Sequence, residues 1–450
     1  MSTRNNSRQL TGCLFFFLLV SGMTWGQSPT LSSDSFGFQC GISKSTNCPN
    51  EQWPMTQAQP GVFRLWDASV QWSAMNRSKG VYDFSNLDSW LDVIAQHQPR
   101  AVIYTFGWTP CWDTENQNNC NGPNNGSPDP PSDLGTGCAT GTGSPSFCNF
   151  VTMLVGYCSK KGNCVSKYIQ YFELWNEANS TAFWTGSVGQ LYQMMAPAVS
   201  IVRNSIINVS ILTPPIQGGT GKSQFQPWAC SWLGEEVTNG RLSNIYAFHT
   251  YLQNDIPENR WSLAAEEVAP NTQYQSTCGK TGWSALPWWL TETDYNSGSG
   301  FADPFVCDSQ KYSPQDCAGQ ILRWQAFVNS NGGFNLSWYY WNTSIGGVSL
   351  NEQAYYWMMQ YLVGGSFSQP CSPNNLVPTT WTCPFTEGGG TQALFVWTPT
   401  ETGTITYTVP AGYVDYRDLS GGMIGVTAGE IIPITVEPIM LEGVKPPTDH

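Results

Sequence analysis

Residues 168–177 read YIQYFELWNE, a run of aromatic and β-branched residues that ends on the polar pair Asn176-Glu177. Seven further stretches share that form: FGFQCGI (36–42), GVFRLWD (61–67), RAVIYTFGW (100–108), NVSILTPP (208–215), NIYAFHTY (244–251), LPWWLTETD (286–294) and FNLSWYYWN (334–342). Between them lie amphipathic stretches such as LDSWLDVIAQH (87–97), VGQLYQMMAPAVSIVRN (188–204) and DCAGQILRWQAFVNS (316–330), with apolar residues at helical spacing. Eight strands alternating with helices, at a repeat of roughly 40 residues, are the pattern of an α/β chain wound as a (β/α)8 TIM barrel. A doubly wound sheet is the alternative, but it rarely needs eight such units.

Two regions break the alternation. Residues 113–147 are rich in Gly, Asn, Pro, Ser and Asp and show no periodicity, which predicts a long loop after the third strand. In a barrel such a loop sits on the ligand-binding face, although a solvated insertion would read the same way. After NEQAYYWMMQYLVGG (351–365) the helical period disappears. Residues 391–450 carry short strand-like runs with close Gly/Pro punctuation, which predicts a small, sandwich-like antiparallel β-domain. The expected division is therefore a barrel over 27–365, a connection over 366–390 and the β-domain over 391–450.

The N-terminus has the form of an export signal over residues 1–26: basic Arg4 and Arg8, the apolar run LFFFLLV (14–20), and small residues near Gly26. The run is too short to span a bilayer as a helix. The LTGC tetrapeptide ending at Cys13 precedes the apolar run, so it does not serve as a lipoprotein box. Fourteen of the 15 Cys follow the signal, an even number in an exported chain, and disulfides are expected. Near-neighbour pairing would join Cys40/Cys48, Cys111/Cys120, Cys138/Cys148, Cys158/Cys164, Cys307/Cys317 and Cys371/Cys383, leaving Cys230/Cys278. The expected location is outside the cell or in the periplasm.

A formal net charge of −13 argues against nucleic acid and anionic membranes as partners, and favours a neutral polymer or oligomer. No tight pair of CxxC motifs is present, and the acidic stretch PDPPSD (128–133) lacks the spacing of a calcium loop, so no metal is expected. The absence of GxGxxG and P-loop motifs makes a nucleotide cofactor unexpected, and no cofactor is expected at all. With three His and no GxSxG elbow, a Ser-His-Asp hydrolase would have to depend on His249.

In a barrel, functional groups stand at the C-terminal ends of strands. Glu177 ends the fourth strand and Glu292 the seventh, so the two acids face each other across the mouth. Two carboxyl groups about 5–5.5 Å apart are what double displacement at a glycosidic bond requires. Asn176 is placed to bond a sugar hydroxyl, while Trp175 and Trp341 offer flat faces for a pyranose ring, and Trp108 is a further candidate.

ELWNEAN (173–179) and LTETDYN (290–296) resemble the acid/base and nucleophile segments of clan A glycoside hydrolases. The nearest likeness is to family 39, with cellulase-like family 5 second. The resemblance runs in order over roughly residues 35–365. It implies a retaining glycosidase with Glu177 as general acid/base and Glu292 as nucleophile. It also implies that Arg64 and Tyr251 steady the nucleophile and that Asn176 contacts the substrate. Ala178, where the pattern often has Pro, and the Cys-rich insertion are departures that bear on substrate.

Plainer roles compete at several positions. Arg64 could merely neutralise Glu173, His249 could bind substrate or simply pack, and Asp67 and Asp294 could touch substrate but read more readily as solvated rim acids. At the level of the whole chain, two readings compete with the glycosidase. A carbohydrate-binding barrel would have lost turnover, and a transglycosylase would use the same two Glu.

Overall fold

The computed structural model describes residues 28–39, 59–138, 142–218, 222–295, 307–339, 345, 349–374, 380–400 and 405–445. The signal segment, Cys13, the Cys40/Cys48 pair and Trp341 lie outside these.

Eight strands fall inside the eight stretches read from the sequence: β1 (Phe36–Phe38), β2 (Val62–Leu65), β3 (Ala101–Thr105), β4 (Tyr171–Glu173), β5 (Ser210–Leu212), β6 (Tyr246–His249), β7 (Trp288–Thr293) and β8 (Asn335–Trp338). They pair in parallel in the order 5-4-3-2-1-8-7-6. Their apolar runs without polar alternation are those of a sheet covered on both faces. The two ends of the sheet meet. Leu212 bridges Ile245 in parallel, and Thr213 N donates to Ile245 O at 2.9 Å. Pro214-Pro215 cannot continue the ladder, and pairing resumes with Ile216–Gln217 against Phe248 and His249. The architecture is an α/β barrel.

Helices α1 (Ser85–His97), α2 (Pro145–Val155), α3 (Val188–Ser205), α4 (Lys222–Asn239), α5 (Pro257–Thr272), α6 (Pro314–Ser330) and α7 (Ser349–Leu362) follow β2 to β8 in turn. Several starts are written locally. Ser144 and Ser313 accept from the first-turn backbone just ahead of Pro145 and Pro314, and Ser187 forms a capping box with Gln190.

Strand periodicity decides what faces the barrel interior. Val62, Ala101, Ile103, Leu212, Ala247 and Trp289 form an apolar plug. One step further along the same faces come Arg64, Thr105, Glu173, His249 and Thr291, all buried. The interior thus turns from apolar to polar toward the C-terminal ends of the strands.

The C-terminal antiparallel sheet is larger than the sequence reading had it. Its strands include Ser366–Phe367, Ser372–Pro373 and Trp381–Thr386, within the stretch read as a connection, and continue through Gln392–Trp397 to Ile439–Gly443. The first two are two residues long, and Pro384 interrupts the third, so no clear alternation marks them. Ile405–Thr408 and Ile431–Ile434 form a separate ribbon over a small core that includes Val396, Ile432 and Leu441. The sheet is tied to the barrel where Trp397 Nε1 donates to Glu258 at 2.5 Å and Phe327 packs edge-on to Trp381.

Six disulfides are present among the described residues, Cys111–Cys120, Cys138–Cys148, Cys158–Cys164, Cys230–Cys278, Cys307–Cys317 and Cys371–Cys383, as the near-neighbour pairing expects. No described helix is long and apolar enough to cross a membrane.

Candidate active site

β4 ends at Glu173, and the chain then turns sharply. Trp175 and Glu177 both take positive φ, 81° and 41°, as does Trp108 after β3 at 60°. Non-glycine residues in this region carry strain of about 1–3 kcal/mol each, held in place by their surroundings. On β7 the ladder to β6 shifts register between Leu290 and Glu292, an irregularity of the kind that re-aims a side chain. Both departures from regular backbone present an acid to the same place. Glu177, His249 and Glu292 each bring one ligand-type atom within 4.8 Å of the others.

Arg64, fully buried inside β2, organises this layer. Its Nε and Nη2 donate to Glu173 Oε2 at 2.9 and 2.5 Å, Nη1 donates to Glu292 Oε2 at 2.6 Å and to Gln39 at 2.7 Å, and Nη2 donates to Asn176 Oδ1 at 2.8 Å. Those five bonds use all five N–H groups of the guanidinium. Both readings of Arg64 hold: it neutralises Glu173 and also grips Glu292. Because Arg64 can only donate, Asn176 must turn Oδ1 toward it, leaving the amide NH₂ as the group free to donate elsewhere. Glu173 is further bonded by Thr105 and Thr291.

The two acids differ in environment. Burial, then the Glu292 charge, pushes the Glu177 carboxyl well above the ordinary carboxylate range. Burial also raises Glu292, but the Arg64 cation and the Tyr251 hydroxyl, which donates to Glu292 Oε1, oppose that rise. A proton shared between the pair therefore resides on Glu177. His249 Nδ1 lies 2.8 Å from Glu177 Oε1. Burial and Arg64 hold its imidazole well below the usual histidine pKa, so it is neutral. Its contact orients Glu177.

A cavity of about 280 Å³ opens over these groups, lined by Trp66, Asp67, Trp108, Pro123, Asn176, Glu177, Phe183, Gln217, Tyr251, Glu292 and Tyr339. The structure thus brings together Glu177, Glu292, Asn176, Tyr251 and Trp108 of the residues singled out in the sequence, with Arg64 directly beneath. Two expectations change. His249 has no exposed side-chain surface and touches Glu177 instead of the cavity. Trp175 is fully buried between Phe147 and Trp184, its indole N–H spent on Phe183 O. The positive φ at Trp175 turns that ring into the core and leaves the mouth to its neighbours.

The sequence reading missed Trp66, Phe183, Gln217 and Tyr339, and it placed Asp67 on a solvated rim. Trp66-Asp67 and Tyr339 directly follow the last residues of β2 and β8, so strand-end position was the available signal. Phe183 and Gln217 carried none. Glu177, His249 and Glu292 form a donor set that could hold a divalent ion, but Arg64 already occupies Glu292, and its charge opposes a second cation.

No protein-family model matches the chain, and no curated protein does. Solved structures do. A glucosidase from Croceicoccus marinus superposes with a TM-score of 0.58 at 12% identity, covering 93% of this chain and 96% of that one. The catalytic domain of GH30 xylanase C from Talaromyces cellulolyticus gives 0.55 at 11%, covering 93% and 98%. A GH51 arabinofuranosidase from Xanthomonas axonopodis pv. citri gives 0.52 at 10%, also covering 93% and 98%. At these identities the likeness is one of fold, and it extends over the barrel and the β-domain together.

Proposed function

We propose that this chain is a retaining glycoside hydrolase of clan A type, a (β/α)8 barrel with a C-terminal β-domain, that cleaves O-glycosidic bonds of a neutral oligo- or polysaccharide. The observation that carries the reading is the pair Glu177 and Glu292. They are buried side by side at the ends of β4 and β7, under one cavity, and of the two it is Glu292 that takes hydrogen bonds from Arg64 and Tyr251.

In the first step Glu177 gives its proton to the glycosidic oxygen as that bond breaks, and Glu292 attacks the anomeric carbon to form a glycosyl ester. Glu177, now ionised, takes a proton from water. The resulting hydroxide equivalent attacks the anomeric carbon, and Glu292 leaves as carboxylate. Acid separation supports this course, because carboxyl oxygens within 4.8 Å of each other match the about 5–5.5 Å of a retaining pair better than the about 6.5–9.5 Å of an inverting one. Asn176 donates to a hydroxyl beside the reacting carbon, and Trp108 gives the ring a flat wall. Bound carbohydrate is the only partner the reading requires.

Several neighbours of similar fold carry glycosidase names, which agrees with this chemistry, and the likeness to family 39 remains our assignment from the two motifs. Export beyond the membrane is part of the proposal, supported by the disulfides, which persist in oxidising compartments, and by the signal-like N-terminus. The test is a panel of aryl glycosides and polysaccharides assayed with the native chain and with Glu292→Gln. Hydrolysis by the native chain that the substitution abolishes is expected. Hydrolysis unaffected by it would overturn the assignment.

A further inference from the structure

The cavity contains one acid that double displacement does not use. Asp67, two residues beyond β2, is 9% exposed. Its Oδ2 accepts the Tyr339 hydroxyl, while among the described residues none donates to Oδ1. A carboxylate with one oxygen pinned is fixed in plane, and its other oxygen is an acceptor waiting for a donor. Trp108 lines the same cavity with an indole N–H that has no acceptor among the described residues. Trp66 and Trp108 both pack on Phe183, with ring centroids 6.0 and 5.5 Å away, so part of the cavity lining is aromatic and braced.

Charge narrows the ligand. No Lys or Arg is among the described residues lining the cavity, whereas three carboxyl groups are. Arg64, the cation beneath, has no N–H left over. An anionic sugar would meet Asp67 and Glu292 with nothing to neutralise it, and each carboxylate would lose hydration without gaining a partner.

Resting on the glycosidase reading, we propose that Asp67 is a specificity-determining residue, accepting hydrogen bonds from hydroxyls of a neutral sugar seated against Trp66 and Trp108. The same carboxylate excludes uronic acids from the cavity. Tyr339 is its positioning residue.

The experiment compares kcat/KM of the native chain, Asp67→Asn and Tyr339→Phe. The substrates are the best aryl glycoside, its monodeoxy analogues and the matching aryl uronide. In assays above pH 7, where the Asp67 carboxyl is ionised, loss of the hydroxyl that it binds is expected to cost the native chain roughly 10–150-fold, the worth of a hydrogen bond to a charged group. In Asp67→Asn the same deoxy analogue should lose less than about a tenth of that factor, and Tyr339→Phe should fall between. Thermal melts of the two variants check that they fold. Unchanged discrimination in both variants, or native turnover of the uronide equal to that of the neutral glycoside, overturns the proposal while leaving the glycosidase intact. No hydrolysis of any glycoside by the native chain overturns the glycosidase reading, and this inference with it.

Discussion

Arg64 Nη1 stands 2.6 Å from Glu292 Oε2, and the same guanidinium holds Glu173 at 2.5 Å. One cation thus balances two buried acids, one structural and one at the cavity. Replacing it leaves both without a counter-charge, holding only the hydroxyl donors Thr105 and Thr291 at Glu173 and Tyr251 at Glu292. Breaking a buried pair in this way costs about 3–5 kcal/mol, so Arg64→Met should lower stability by that order. Arg64→Lys should keep charge but lose the fork that reaches four acceptors. It is expected to fold with a several-degree drop in Tm and a large fall in kcat. Calorimetry alongside turnover with an aryl glycoside checks both.

Glu177 and Glu292 should fail differently. Without Glu177 the leaving group receives no proton. Glu177→Gln should therefore be slow on poor leaving groups and much less impaired on dinitrophenyl glycosides, with added azide intercepting the ester. Glu292→Gln should be inactive on all of them. Turnover across a series of leaving-group pKa values separates the two patterns, and parallel losses would undo the division of roles.

The pH profile follows from the same asymmetry. Activity requires Glu292 ionised and Glu177 protonated, so it should fall at low pH as Glu292 takes up a proton and at high pH as Glu177 loses one. Tyr251 donates to the charged form of Glu292 and holds its pKa down. Tyr251→Phe should therefore move the acidic limb of kcat/KM to higher pH and leave the alkaline limb nearly in place. A shift of the acidic limb downward would contradict this.

Asp67 is expected to leave a mark on stability. Burial raises its carboxyl from the ordinary range to about 7, despite the opposing Tyr339 hydrogen bond. A group whose folded pKa is raised contributes stability below its unfolded value, and that contribution is lost as pH climbs through the folded value. The native chain should therefore lose roughly a few kcal/mol between about pH 4 and 7 from this residue. Asp67→Asn, which does not titrate, should show a flatter dependence over that window in denaturant titrations at stepped pH.

Much of this was legible in the chain itself. The eight strands and most helices followed from hydrophobic period, because a barrel strand covered on both faces must be an apolar run bounded by polar ends. Glu177 and Glu292 were visible as acids at those ends. What period could not show was the path of the backbone after each strand. The left-handed turns at Trp175 and Glu177 send one ring into the core and one carboxyl into the cavity, and nothing in ELWNEAN distinguishes them. The position of His249 at the end of β6 left substrate binding and packing both open, and its ring nitrogen is taken by Glu177. The first strands of the antiparallel sheet escaped notice because two-residue strands such as Ser366–Phe367 have no period to read.

The most direct test is to trap the intermediate. Incubation with an activated 2-deoxy-2-fluoro glycoside of the preferred sugar should stop turnover after one equivalent, raise the intact mass by one glycosyl unit, and place that mass on the peptide containing Glu292. A label on another residue, or an unlabelled chain releasing product of inverted anomeric configuration, would contradict Glu292 as nucleophile and with it the double displacement.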